Sequence, residues 1–200
     1  MSEEPKVLHS REEIEARIRA LGGEIGRACG GQELCVVGLM KSCLVFMADL
    51  IRAIPLPMTC HFLQTSSLRD IGGATARTDI VYSTEIPYAG RHILLLDDIV
   101  DTGITLSFLL DHIREHGPAS LRVCALIDKP GERKIEVHPD WIAFSVPNPG
   151  QRFIVGYGLD YQEHYRELPY LATISVPAPA AGERRITLSG GSVQDKDQEA

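Results

Sequence analysis

Three carboxylates fall close together in the segment HILLLDDIVDTGITL (92 to 106): Asp97, Asp98 and Asp101. An aliphatic run leads into the first two, and the third precedes Thr102, Gly103, Ile104 and Thr105, where a helical pattern begins. A Thr-Gly turn at a helix start offers backbone N–H groups and hydroxyls to a phosphate, while adjacent carboxylates can engage sugar hydroxyls or Mg2+. One such strand-to-helix turn can hold a phosphorylated sugar. Each acid alone has a plainer reading: Asp97 and Asp98 can end a strand, and Asp101 can cap a helix.

The elements needed to position this turn are legible around it. Ser10 followed by Glu13 reads as a capping box, and Ile14, Ile18, Leu21 and Ile25 recur at helical spacing, which predicts an amphipathic helix over 11–28. A buried strand over 34–40, a helix over 42–54 ended by Pro55, and an apolar strand over 58–65 follow. Further strands over 78–84, 92–98 and 121–128 bracket a helix over 104–117. Alternating strands and helices mean an α/β fold, a mainly parallel twisted sheet flanked by helices. Ligands of such sheets sit beyond the carboxyl ends of the strands, here the loops after residues 40, 98 and 128. The Gly-rich stretch SSLRDIGGATA (66 to 76) reads as a mobile loop. One domain is expected over 1–176, with a disordered tail rich in Pro, Ala, Gly and charge over 177–200.

Composition narrows the partners. A formal charge of −7 argues against broad electrostatic binding to nucleic acid or an anionic membrane, so a phosphate ligand must be held by local groups and a metal. The apolar runs are far shorter than the roughly 18 to 20 residues of a membrane span. The acidic N-terminus lacks the basic-then-apolar order of a signal peptide, and a cytoplasmic protein is expected. Five cysteines at irregular spacing, with no CxxC pair, read as reduced and mostly buried thiols.

The aliphatic strand, the paired acids, two aliphatic residues and the Asp-Thr-Gly-Ile-Thr turn together resemble the sugar-diphosphate motif of the phosphoribosyltransferases. Within that family the chain is similar to hypoxanthine-guanine phosphoribosyltransferases from about residue 34 to 174, through VVGLMKSCLVFMADLIRAI (36 to 54), LRVCALIDKPGERKIEVHPDWIAF (121 to 144) and FIVGYGLDYQEHYRELPYL (153 to 171). The resemblance implies a type I phosphoribosyltransferase fold with a small hood over the strand carboxyl ends. It also implies Mg2+-dependent transfer of a phosphoribosyl group from 5-phosphoribosyl 1-diphosphate to a 6-oxopurine, in purine salvage. Small-molecule substrates and a homodimer or homotetramer would accompany that role.

By the same resemblance, Asp97 and Asp98 would contact the ribose hydroxyls with their metal, and the turn from Asp101 to Thr105 would cradle the 5-phosphate. Asp101 would also face N7 of the purine, where a carboxylate can manage a proton and stabilise developing positive charge. Lys41 and Ser42 stand at the family's Lys-Gly step, whose unusual peptide geometry turns N–H groups toward diphosphate. Lys129 would donate to the oxygen at purine C6, Phe153 would stack on the base, and Ile154 would offer backbone groups to the ring edge. Asp160 and Arg166 match residues that hold Mg2+ and diphosphate beside the base. A helical turn would not bring these two onto one face.

Three departures accompany the match. Ser42 replaces the family's Gly, and Ser67-Leu68 stands where the family's mobile loop carries Ser-Tyr. The stretch VPNPGQRF (146 to 153) is also a few residues longer than usual. These departures leave two alternatives beside the leading one: a nucleotide-sensing regulator on the same fold, or the same chemistry on xanthine or another purine. Without the family context, Lys41 and Lys129 read as solvated lysines, Phe153 as a core residue, and Asp160 with Arg166 as an exposed ion pair.

Overall fold

The computed structural model describes residues 4–69, 76–83, 85–147 and 152–175. Helix α1 (Arg11–Ala28) starts where the Ser10 hydroxyl accepts from the Glu13 N–H and the Glu13 carboxylate accepts from the Ser10 N–H at 2.7 Å. Such a cap is worth about 1 kcal/mol. The helix buries Ile14, Ile18, Leu21 and Ile25, the stripe its spacing predicts. Helix α2 (Leu44–Ala53) begins two residues later than expected, because residues 40–43 form a turn, and helix α3 spans Ile104–Glu115.

Nine strands complete the described fold: β1 (Lys6–His9), β2 (Leu34–Leu39), β3 (Met58–Arg69), β4 (Ala76–Ser83), β5 (His92–Val100), β6 (Ser120–Asp128), β7 (Trp141–Ser145), β8 (Arg152–Val155) and β9 (Leu171–Ser175). The main sheet has the order β4-β3-β2-β5-β6-β7. Its last five strands in that order run parallel, while β4 pairs antiparallel with β3 at the edge. Side chains alternate across it: Leu94 and Leu96 pack under α1 and α2, whereas Ile93 and Leu95 pack under α3 with Leu106, Leu109 and Ile113. This covers both faces and directs the carboxyl ends of β2, β5 and β6 to one rim.

The second sheet, β1-β9-β8, is antiparallel and forms the hood. It is fastened to the main body through the α1–α2 core, which takes in Ile154, Tyr157, Leu159 and Leu171, and through His9 stacked on Phe144 at 3.9 Å between centroids.

Two expectations are corrected. Residues 66–69 and 76 do not form a loop: they extend β3 and β4 into a paired ribbon in which Ser67 faces Thr78 and Leu68 faces Arg77 in register. Residues 70–75 lie outside the described residues. Strand β5 continues beyond Asp98 to Val100, because Ile99 and Val100 still pair with Ile127 and Asp128 on β6 and Val100 is buried. The strand expected over 92–98 therefore runs two residues further, and Asp97 and Asp98 stand inside it rather than at its end.

All five cysteines are free, and all but Cys60 are buried. No helix among the described residues is long and apolar enough to cross a membrane. The expected tail lies outside the described residues.

Candidate active site

The acidic turn sits at the carboxyl end of β5. Asp97 is 5 % exposed, and Asp98 is partly buried beside it. Burial first, and then the neighbouring Asp98 charge, push the Asp97 carboxyl well above the ordinary carboxylate range; burial also raises Asp98. Neither acid has an ion-pair partner among the described residues, so this corner would favour a cation or hydroxyl donors. After the strand, Gly103 turns the chain into α3 with φ 83°. A Cβ there would lie 2.5 Å from the Ile135 carbonyl oxygen, so both the backbone conformation and the space require glycine. Thr102 Oγ1 accepts from the Ile104 N–H at 3.4 Å, and Thr105 stands in the first turn of the helix.

The segment after β6 folds back over this turn. The N–H groups of Lys134 and Ile135 both donate to the Thr102 carbonyl, at 2.9 and 3.0 Å. Arg133 donates to the Asp101 carbonyl at 2.6 Å and pairs with the buried Asp128 carboxylate. This arrangement brings Lys129 Nζ to 3.2 Å from Asp101 Oδ2. The other oxygen, Asp101 Oδ1, is buried with no hydrogen-bond partner among the described residues. An acceptor in that state is ready for a donor from outside the chain. Arg133 and Asp128 carry no sequence signal because Arg133 holds backbone 32 residues away, and Asp128 only pairs with Arg133, rather than completing a motif.

A second cluster forms where the hood meets the carboxyl end of β2. The Met40–Lys41 peptide is cis, one step before the Lys41–Ser42 bond to which the unusual geometry was expected to fall. Ser42 is buried, and its hydroxyl accepts from Arg166 Nη1 at 3.0 Å and hydrogen-bonds the Asp98 carboxylate. Arg166 Nη1 also donates to the Gly158 carbonyl at 2.9 Å, and Nη2 pairs with Asp160 Oδ1 at 2.8 Å. The segment 160–166 is not helical: it runs through turns in which Gln162, Glu163 and Tyr165 have positive φ, which is how residues six apart converge. Gly158, with φ 95°, approaches so closely that a Cβ would sit 2.5 Å from the Ser42 carbonyl oxygen.

Glu163, absent from the expected set, joins this cluster by pairing with both Lys41 and Arg166. An acid in LDYQEHYRE gives no sequence signal for that position, since the contact to Lys41 spans 122 residues.

Asp97, Asp98 and Asp160 do not form a three-carboxylate cage among the described residues. Asp160 faces Arg166 and accepts from the Glu163 N–H at 2.8 Å. On the hood, Phe153 packs edge-on against Tyr161 at 5.2 Å, and the Ile154 side chain is buried in the core beneath it. The longer stretch before Phe153 includes 148–151, which lie outside the described residues. The structure thus joins Asp101 to Lys129, and Lys41 and Ser42 to Arg166 and Asp160, while Phe153 and Ile154 sit on the separate hood sheet. A cavity of about 580 Å³ between α1, α2 and the hood shares Arg166 with the site but none of the acidic turn.

The comparisons agree with this geometry. A model of the phosphoribosyl transferase domain matches residues 6–162. The chain is 40 % identical over 174 residues to the hypoxanthine-guanine phosphoribosyltransferase of Mycobacterium avium, covering 84 % of each chain. It is 38 % identical over 173 residues to the hypoxanthine phosphoribosyltransferase of Haemophilus influenzae, covering 84 % of this chain and 94 % of that one. The crystal structure of a Bacillus anthracis hypoxanthine-guanine phosphoribosyltransferase with HEPES in its active site superposes with a TM-score of 0.79 at 35 % identity, over 86 % of this chain and 99 % of that one. With this fold, this turn and these relatives, the chain belongs to the phosphoribosyltransferase family, among its hypoxanthine-guanine phosphoribosyltransferases.

Proposed function

We propose that the protein transfers the phosphoribosyl group of 5-phosphoribosyl 1-diphosphate to N9 of hypoxanthine or guanine, giving IMP or GMP and diphosphate. The observation that carries this reading is the Asp101–Lys129 pair on the rim of β5 and β6. A 6-oxopurine presents O6 and N7 as neighbours on one edge. A lysine ammonium beside a carboxylate offers that edge a donor for O6 and an acceptor for a proton on N7. Adenine, with an amino group at C6, would face the ammonium with a second donor, a mismatch that costs roughly 1 to 3 kcal/mol.

In the reaction the C1–O bond to diphosphate breaks as the N9–C1 bond forms, and positive charge develops on the ribose ring. Asp101 stabilises that charge and accepts the N7 proton as the base bonds through N9, which leaves the nucleotide base neutral. Backbone N–H groups and hydroxyls from Asp101 to Thr105 bind the 5-phosphate at the N-terminus of α3. Asp97 and Asp98 take the ribose hydroxyls, Lys41, Ser42 and Arg166 take the diphosphate, and Phe153 and Ile154 hold the base. Ser67 and Leu68, on the β3–β4 ribbon, would cover the site from the side.

The donor set fits Mg2+, which is bound by one or two carboxylates and completes its shell with water and substrate oxygens. Asp97, Asp98 and Asp160 are the residues that would hold it. When bound, Mg2+ would neutralise the diphosphate charge as the leaving group departs. The same reading includes one catalytic domain over 1–176, a cytoplasmic setting and a homodimer or homotetramer.

The test is nucleotide formation from the donor with hypoxanthine, guanine, xanthine and adenine, with and without Mg2+, beside Asp101→Asn. Metal-dependent product from a 6-oxopurine, lost in the variant, is the expected result. Donor or nucleotide binding without product from any base would overturn it in favour of a nucleotide-sensing role.

A further inference from the structure

Lys41 and Arg166, the two cations assigned to the diphosphate, share one carboxylate: Glu163 Oε1 lies 3.2 Å from Lys41 Nζ and Oε2 lies 3.2 Å from Arg166 Nη2. Glu163 is aimed there by a turn, with its own φ at 64° and its N–H donating to Asp160 Oδ2 at 2.8 Å. The partners differ in what else holds them. Arg166 keeps Ser42, Gly158 and Asp160 if Glu163 leaves, whereas Lys41 has no other ion pair among the described residues. Both lysine and glutamate are more than two-fifths exposed, so their pairing is screened by water and exchanges at little cost.

From this geometry we infer that Glu163 is a built-in competitor for the diphosphate group. Its carboxylate pairs the two cations while the site is empty, yields them when the diphosphate-bearing donor enters, and reclaims them as free diphosphate leaves. Resting on the proposed transferase reading, this makes Glu163 a residue that lowers diphosphate affinity and speeds product release. A residue that merely positioned the cations would have the opposite effect on affinity.

The test compares the full-length protein with Glu163→Gln and Glu163→Ala. Binding of inorganic diphosphate with Mg2+ would be measured by calorimetry, and donor KM and kcat by turnover. In both variants diphosphate should bind roughly three- to tenfold tighter, a change of about 0.7 to 1.4 kcal/mol. The donor KM should fall in step, with the KM for the base unchanged. Glutamine keeps the size of the side chain, and an unchanged thermal midpoint would show that the turn is intact. Unchanged or weaker diphosphate binding in both variants would overturn the inference, as would an absence of diphosphate binding by the parent protein. A parent protein that binds diphosphate but makes no nucleotide would overturn the transferase reading alone, since the binding comparison needs no turnover.

Discussion

The two corners to which the proposed function assigns anions are built on opposite plans. The turn from Asp101 to Thr105 occupies consecutive residues at the start of α3 and offers backbone N–H groups and hydroxyls. The hood corner instead gathers Lys41 and Ser42 from one end of the chain and Asp160, Glu163 and Arg166 from the other. Backbone donors carry no net charge, so an empty turn of the first kind needs no counterion. Side-chain cations do, and here carboxylates supply it. The first corner is therefore rigid and local, and the second is held by contacts that a ligand can replace.

Several substitutions would break or sharpen that contrast. The largest effect should come from Gly103→Ala, where an added Cβ meets the Ile135 carbonyl at 2.5 Å on a backbone with φ 83°. A loss of about 3 kcal/mol or more of folding stability is expected, together with the turnover, and chemical denaturation would measure it. A loss below about 1 kcal/mol would mean that the loop over the turn is not rigid.

Next in size is Arg166→Lys, which keeps the charge but cannot reach Ser42, Gly158 and Asp160 together through one planar fork. Donor KM should rise roughly 10- to 100-fold, as when a charge-assisted contact worth about 1.5–3 kcal/mol is lost, with much less change in the KM for the base. Equal losses for donor and base would blur the separation of the two corners.

Lys129→Gln should act on selectivity more than on rate. An amide can donate to an oxo group or accept from an amino group, so the preference for hypoxanthine over adenine should shrink roughly 5- to 100-fold, from the mismatch cost of about 1–3 kcal/mol. Competition between the two bases in one assay would read this, and an unchanged ratio would remove Lys129 from base recognition.

The smallest effect belongs to Ser42→Gly. It deletes the hydroxyl that links Arg166 to Asp98, an interaction worth about 1 kcal/mol, and frees the turn after β2. A two- to fivefold rise in donor KM, at an unchanged base KM, would be roughly in keeping with that loss.

The parts legible in the sequence are those whose signals are local. The Ser10–Glu13 cap, the α1 stripe and the alternation of strands and helices depend on residues a few positions apart, and each appears in the structure where the spacing puts it. The acidic turn was readable for the same reason, because strand, acids, glycine and helix start are contiguous. Strands β1, β7, β8 and β9 left weaker traces: four or five residues cannot display a period, and β1 is defined by pairing with β9 across the length of the domain. The far end of the β3–β4 ribbon, residues 66–69 and 76, reads as a loop because polar and small residues dominate it, while its order comes from cross-strand pairing.

By itself, the sequence determined the layered α/β architecture, the acidic strand-to-helix turn and the family of the chain, since hydrophobic period and contiguous motif are properties of neighbouring residues. Only the tertiary structure decided that Lys129 meets Asp101, that Arg133 clamps the loop over the turn, and that Glu163 stands between Lys41 and Arg166. Apart from the short step between Glu163 and Arg166, those contacts join residues 28 to 122 positions apart, and no local pattern encodes them. They follow from where the parallel sheet delivers its strand ends and how the hood folds back upon them.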